Sequence, residues 1–316
     1  MPSPALVAAL ALALAGVSQP VVAAMPRFRV PLAQLNPGPA ATAPVLRISA
    51  IPDQNPEKLN RLYGLVADEL SESLGRKVVY VPMVDYSAAV TAFRKGDLDL
   101  VWFGGLTGVQ ARLQTPGARV LAQRDVDAAF HTLFIGNREA TAGLQPIRSA
   151  ADLKQLRGRR FTFGSESSTS GRLMPQYFLQ QGGVKLTDFA GGGPGFSGSH
   201  DATIALVQSG AYEAGAVNEQ VWTSGLRKGT VDRSKVVVLW RTPPYPDYHW
   251  VAQGNLDRRF GAGFTGRLQA ALVALKPTSQ RRVQILDLFG ARQFVVAPAD
   301  QYGQIEAIGR QLGKIR

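Results

Sequence analysis

From Val45 onward the chain alternates two hydrophobic patterns. The runs "VLRISAI", "KVVYVPM" and "DLDLVWFG" are short, apolar and rich in β-branched residues, as strands are. Between them, residues 57–74 and 87–95 place their apolar positions at helical spacing. Strands that are apolar nearly throughout are covered on both faces, so the alternation predicts a parallel sheet flanked by helices. "RVLAQR" and "HTLFIGN" then form an extended pair able to carry the chain out of one sheet and into another. The second half repeats the theme. "RRFTFG", "AYEAGAVN" and "SKVVVLW" read as strands, and 169–181 and 200–209 as helices. After "YHWVAQG" the pattern turns helical, at 264–276, 278–289 and 299–313, interrupted by the strand-like "RQFVVAP". Two α/β lobes with a helical tail are expected.

Ahead of Val45 the pattern differs. Ala5 to Gly16 is an almost pure Ala/Leu/Val run, too short to anchor the chain in a bilayer, and Val22 and Ala24 occupy the two small-residue positions of a signal-peptidase site. No Lys or Arg precedes the run, yet the pattern predicts export, with residues 1–24 as the signal. Residues 25–44 hold five prolines and no period, and read as a loose leader. The sequence has no cysteine, which excludes disulfides, thiolate metal sites and the lipidated Cys of a lipoprotein, so a free periplasmic protein is expected. Three histidines, His131, His200 and His249, argue against a histidine metal cage; no metal and no cofactor are expected. The net charge of +12 favours anionic partners. Its basic residues are scattered, with "RGRR" at 157–160 the densest group, and an exported protein has little use for nucleic acid, so small anions are favoured.

Three stretches carry candidate chemistry. "FGSESSTSG", residues 163–171, ends an apolar strand and opens a helix. The free N–H groups around Ser168, Thr169 and Ser170, the helix dipole and three adjacent hydroxyls together make an anion site, whereas the plain alternative is one capping hydroxyl with the rest in water. Gly171 would allow a ligand or an opposing lobe to approach, and Pro175 is expected to kink the helix or end its regular part. "GGGPGFSGSH" contains Gly193-x-Gly195-x-x-Gly198 with Glu219 downstream, the spacing of a dinucleotide fingerprint. Pro194 and the expected export favour a simple glycine-rich loop there. Ser168, His200 and Asp247 supply the residue types of a hydrolytic triad, but no G-x-S-x-G elbow exists, so hydrolysis is a minor alternative.

Taken together, "VDYSAAVTAFRKGDLDLVWFGG", "FGSESSTSGRLMPQYF", "GSHDATIALVQSGAYEAGAVNEQVW" and "TPPYPDYHW" resemble the solute-binding proteins of phosphonate and phosphite ABC transporters, including a branch described as selenate-binding. The resemblance implies a type II periplasmic binding fold, two α/β lobes closing on a ligand. Residues 45–127 and 252–316 would form lobe 1 and residues 128–251 lobe 2. It places the family's Ser-Thr-Ser on Ser168, Thr169 and Ser170, its histidine on His200, its carboxylate on Asp247 and the tyrosine of its "DYA" segment on Tyr86. Where phosphonate members carry "WYG", this chain has Phe103, a wall without a hydroxyl that disfavours large polar phosphonates. The implied partners are a small oxyanion and the permease and ATPase of an inner-membrane importer, and the implied state is a monomer, not an enzyme. An ionised carboxylate only accepts hydrogen bonds. Asp247 beside the anion therefore asks for a ligand that keeps a proton, such as phosphite or a small phosphonate; selenate or another oxyanion is the alternative.

Overall fold

The computed structural model describes residues 44–316. The expected signal, and the leader apart from its last residue, lie outside the described residues. The first lobe runs through β1 (Leu46–Ala50), α1 (Pro56–Leu74), β2 (Val78–Tyr80), α2 (Tyr86–Lys95), β3 (Leu100–Phe103), α3 (Gly105–Leu113) and β4 (Arg119–Arg124). The second holds β5 (Thr132–Asn137), β6 (Phe161–Phe163), α4 (Met174–Gln181), β7 (Gly195–Phe196), α5 (His200–Gln208), β8 (Ala214–Asn218), α6 (Glu219–Lys228) and β9 (Val236–Arg241). The chain returns with β10 (His249–Ala252) and ends on α7 (Leu256–Phe260), α8 (Phe264–Val273), α9 (Gln280–Phe289), β11 (Phe294–Val296) and α10 (Gly303–Gln311).

The sheets have strand orders β11-β4-β10-β3-β1-β2 and β7-β6-β8-β5-β9. Both are mixed, which corrects the parallel reading. In the first, β10 runs antiparallel to β3 and β4; in the second, β5 runs antiparallel to β8 and β9. These two strands follow the crossings between lobes. A strand arriving from the other lobe enters its sheet from the cleft end, against the direction of strands fed by helices on the far side. Because β10 already pairs from His249, the chain is back in the first sheet before the expected boundary at 252.

Helix ends follow local chemistry. Asn55 caps α1 by accepting from the N–H groups of Glu57 and Lys58, and Gly75 ends it in the left-handed region at φ 59°. The buried face of α1 includes Leu59, Leu62, Tyr63, Val66 and Leu70 at helical spacing, each large apolar side chain stabilising the fold by about 1.5–3 kcal/mol. Buried Glu69 on the same helix is held by Arg282 at 2.8 Å. Where the sheets meet the cleft, Trp102 of β3 stacks on Tyr248 at 5.8 Å.

Candidate functional site

The hydroxyl segment enters its helix through a wide, π-helical turn over Thr169–Leu173. Leu173 N–H bonds back to Ser168 C=O at 2.9 Å. Pro175 explains the widening. It has no N–H to give Gly171, whose carbonyl instead accepts from Gly164 N–H at 2.9 Å. Ser168 Oγ accepts from Gly171 N–H at 2.9 Å, leaving its own proton available. Thr169 and Ser170 open the turn with N–H groups that precede any intrahelical partner. All three residues are buried, whereas Ser165 and Ser167 are only half-buried and shape the turn. Gly171 has a different reason from the one expected. A Cβ there would lie 3.1 Å from His200 Cε1 and 3.3 Å from Gly164 Cα, so the close approach is by the lobe's own groups.

The N-terminus of α3 faces this turn from the first lobe. Leu106 N–H donates to Thr169 Oγ1 at 2.9 Å, and Gly105 N–H donates to Asp247 Oδ1 at 2.8 Å. Space here is tight: a Cβ on Gly104 would meet Thr169 Oγ1 at 3.1 Å and Asp247 Oδ1 at 3.3 Å, so either side chain would have to give by a few tenths of an ångström. Asp247 is fully buried, and its Oδ2 has no partner among the described residues. Burial pushes its carboxyl up to about 7, against the lowering effect of Gly105 N–H. Tyr86, first residue of α2, is also buried with an unpartnered hydroxyl. Two unpaired buried polar atoms in one native cleft call for a polar occupant.

His200 opens α5, with Ser199 capping the helix through Ala202 N–H. Burial pushes its pKa down to about 3, so the ring is neutral. Nδ1 accepts from Asn218 N–H at 3.3 Å, which places the proton on Nε2. That proton points at Ser170 Oγ, 3.5 Å away, and Tyr248 Oη, 3.4 Å away. Asn218 Oδ1 caps α6 by accepting from the N–H groups of Gln220 and Val221, so its Nδ2 is the atom that donates to Tyr248 Oη at 3.0 Å. Nearby lies Asp53, a second buried carboxyl that burial raises to about 6, against the lowering effect of Tyr248. Behind Tyr248 lies the guanidinium of Arg124, 4.9 Å from the ring centre and paired with buried Asp127 at 2.5 Å.

Ser168–Ser170, Tyr86, His200 and Asp247 thus gather at one cleft. Phe103 is fully buried at the end of β3, and the ring it meets edge-on is Phe93 of its own lobe at 5.7 Å. Tyr248, Asn218, Asp53 and the α3 N-terminus escaped the sequence reading. The strand–glycine–helix passage "WFGGLTG" was the available signal for the last. The triad geometry is not present: His200 Nδ1, the atom a triad aspartate would hold, faces Asn218, and its Nε2 faces Ser170 and Tyr248. Gly195 of the glycine-rich stretch lies on edge strand β7, where a Cβ would fall 2.1 Å from Tyr212 Oη. Packing accounts for it. Among the described residues no group of three metal-ligating side chains converges, and no helix is long and apolar enough to cross a membrane.

Residues 48–302 match a family described as ABC transporter, phosphonate, periplasmic substrate-binding protein. A probable ABC transporter phosphite binding protein, PhnD1, of Prochlorococcus marinus strain MIT 9301 is 53% identical over 272 residues, 86% of this chain and 91% of the relative. The solved structure of PhnD1 in complex with methylphosphonate superposes with a TM-score of 0.83, covering 86% of this chain and 99% of that one. A binding protein component of an ABC phosphonate transporter from Pseudomonas aeruginosa, 20% identical, shares the fold at a TM-score of 0.71, covering 86% of this chain and 87% of that one.

Proposed function

The chain belongs to the family of periplasmic substrate-binding proteins of phosphonate ABC transporters, and from that premise we propose that it captures a small phosphorus oxyanion carrying one proton, phosphite or methylphosphonate, around Ser168–Ser170 and Asp247. The fold is the two-lobed α/β binding fold of that family, and its members are transport components rather than enzymes. The observation that carries the ligand reading is Asp247: a fully buried carboxyl with one oxygen held by Gly105 N–H and the other unpartnered, beside a turn of hydrogen-bond donors. The donors take the anion's bare oxygens, and Asp247 Oδ2 takes its P–OH. Once Asp247 is ionised, above about pH 7, sulfate and selenate bring no proton and leave two acceptors in opposition. No observation favours the selenate reading. Tyr86 supplies a donor from the first lobe, so the anion bridges both lobes and favours the closed state. None of the groups gathered here is a Lys or Arg side chain. The wider partners are a permease and ATPase in the inner membrane, reached by a monomeric protein exported on the signal at 1–24 without a lipid anchor.

The test is calorimetric titration and thermal shift of the purified protein with phosphite, methylphosphonate, aminoethylphosphonate, phosphate, sulfate and selenate. Phosphite and methylphosphonate are expected to bind most tightly. A ligand at a hundred times its Kd stabilises the fold by about 2.7 kcal/mol, a rise in Tm of several degrees. Preferential binding of sulfate or selenate would overturn the reading.

A further inference from the structure

The lobes also meet at the opposite side of His200. Segment 53–55, between β1 and α1, lies against the first turn of α5. His200 N–H donates to Asp53 C=O at 3.0 Å, and Asn55 N–H donates to Asp201 Oδ2 at 2.7 Å. The second bond is short and charge-assisted, the stronger kind. The carboxylate is also well placed electrostatically. It belongs to the first turn of α5 and reaches the cap residue of α1, so two helix N-termini face it. A cavity of about 360 Å³, lined from both lobes by Gln54, Asn55 and Lys58 and by Asp201 and Lys228, opens beside the contact and gives water access to it. The remaining cross-cleft contacts through Thr169 and Asp247 use groups of the oxyanion site itself, and the Ser87–Ser167 hydroxyl pair is long at 3.5 Å. Among the described residues, Asp201 is the charged side chain that hydrogen-bonds across the lobes outside that site.

We propose that Asp201 is a positioning residue that latches the closed form and sets how long the ligand stays. It acts through the backbone: the segment it holds is the one bonded to His200 N–H, and the His200 ring is in the site. Opening the cleft must break the Asn55–Asp201 bond, whereas ligand entry into the open form does not involve it. The inference rests on the oxyanion reading above.

Stopped-flow binding of methylphosphonate to the wild type, Asp201→Ala and Asp201→Asn tests it. For Asp201→Ala the dissociation rate is expected to rise about tenfold, in line with loss of a charged hydrogen bond, with the association rate within about twofold of wild type. Asp201→Asn keeps a neutral acceptor and should fall between the two. The ligand-free melting temperature should stay within about 2 °C, since an exposed contact outside the core is removed. Unchanged dissociation, a loss confined to association, or an equal loss of ligand-free stability would each overturn the proposal. If the wild type binds no oxyanion, the oxyanion reading fails instead. The latch is then judged by solution scattering of the ligand-free proteins: a larger radius of gyration for Asp201→Ala supports it, and an unchanged one overturns it.

Discussion

Replacing Asp247 by Asn is expected to weaken phosphite binding about 10- to 100-fold at pH 6, the effect of losing a hydrogen bond to a charged group. Gly105 N–H fixes the Oδ1 position as an acceptor, so the amide NH₂ of Asn would occupy the unpartnered Oδ2 side. A donor there opposes the ligand's P–OH but suits a fully deprotonated oxygen. Sulfate and selenate should therefore gain in the variant while phosphite loses. The pH dependence follows from one proton shared by ligand and carboxyl. In the ligand-free protein Asp247 titrates at about 7. Above that pH neither partner brings the proton, and wild-type affinity should fall by up to about tenfold per pH unit. The variant should lack most of that slope. Stability gives an independent check, with its sign set by the raised pKa: the contribution of Asp247 is fully present below about pH 4, its unfolded value, and is lost as pH rises through 7. Ligand-free Asp247→Asn should thus melt higher than wild type at pH 8, with the gap closing toward pH 4. Equal slopes of affinity against pH in the two proteins would remove Asp247 from the site.

Gly108→Ala on α3 should cost both affinity and stability without touching the ligand. A Cβ at this position would fall 2.3 Å from His249 Nε2 and 2.4 Å from Cε1. The ring has no room to retreat: its Nδ1 bonds Asp247 C=O at 3.0 Å, and its face lies 3.9 Å from the Tyr302 ring. Burial pushes the His249 pKa down to about 3, so the ring is neutral, with Nδ1–H the donor and Nε2 unpartnered. The helix must therefore shift, and its first turn carries the Gly105 and Leu106 N–H groups that hold Asp247 and Thr169. Overpacking of about 1–3 kcal/mol corresponds to a Tm lower by roughly 3–10 °C. Affinity for phosphite should fall at least about tenfold, because two short hydrogen bonds at the cleft are misplaced. Gly266→Ala on α8, where a Cβ meets nothing within 4 Å, is the control and should change neither. Wild-type affinity in Gly108→Ala would separate α3 from ligand capture.

The alternation of apolar runs and amphipathic segments made most strands legible, because residues such as Val101 and Trp102 are buried on both sides of their sheet and leave no polar positions in the pattern. Strand direction was not legible, since periodicity records burial and not the side from which a strand enters. Helices α3 and α6 were missed for opposite reasons. Most of α3 is buried, so "GLTGVQARL" shows little polar stripe, while only Val221, Trp222 and Gly225 are buried on α6. At the site, hydroxyls and a lone carboxylate stand out in sequence. The N–H groups of Gly105 and Leu106 do not, because backbone donors carry no letter of their own. Tyr248 was hidden differently: its neighbours Asp53 and Asn218 lie far away along the chain and meet it only after both crossings.

The cleft's reliance on N–H, O–H and neutral imidazole donors bears on release as much as on capture. An anion clamped by a guanidinium or ammonium would leave behind an exposed countercharge, and the electrostatic pull of that charge would follow it out. In the proposed site the donors are uncharged dipoles, so once the lobes part, water can take over their bonds. On the proposed reading, release is then governed by whatever parts the lobes.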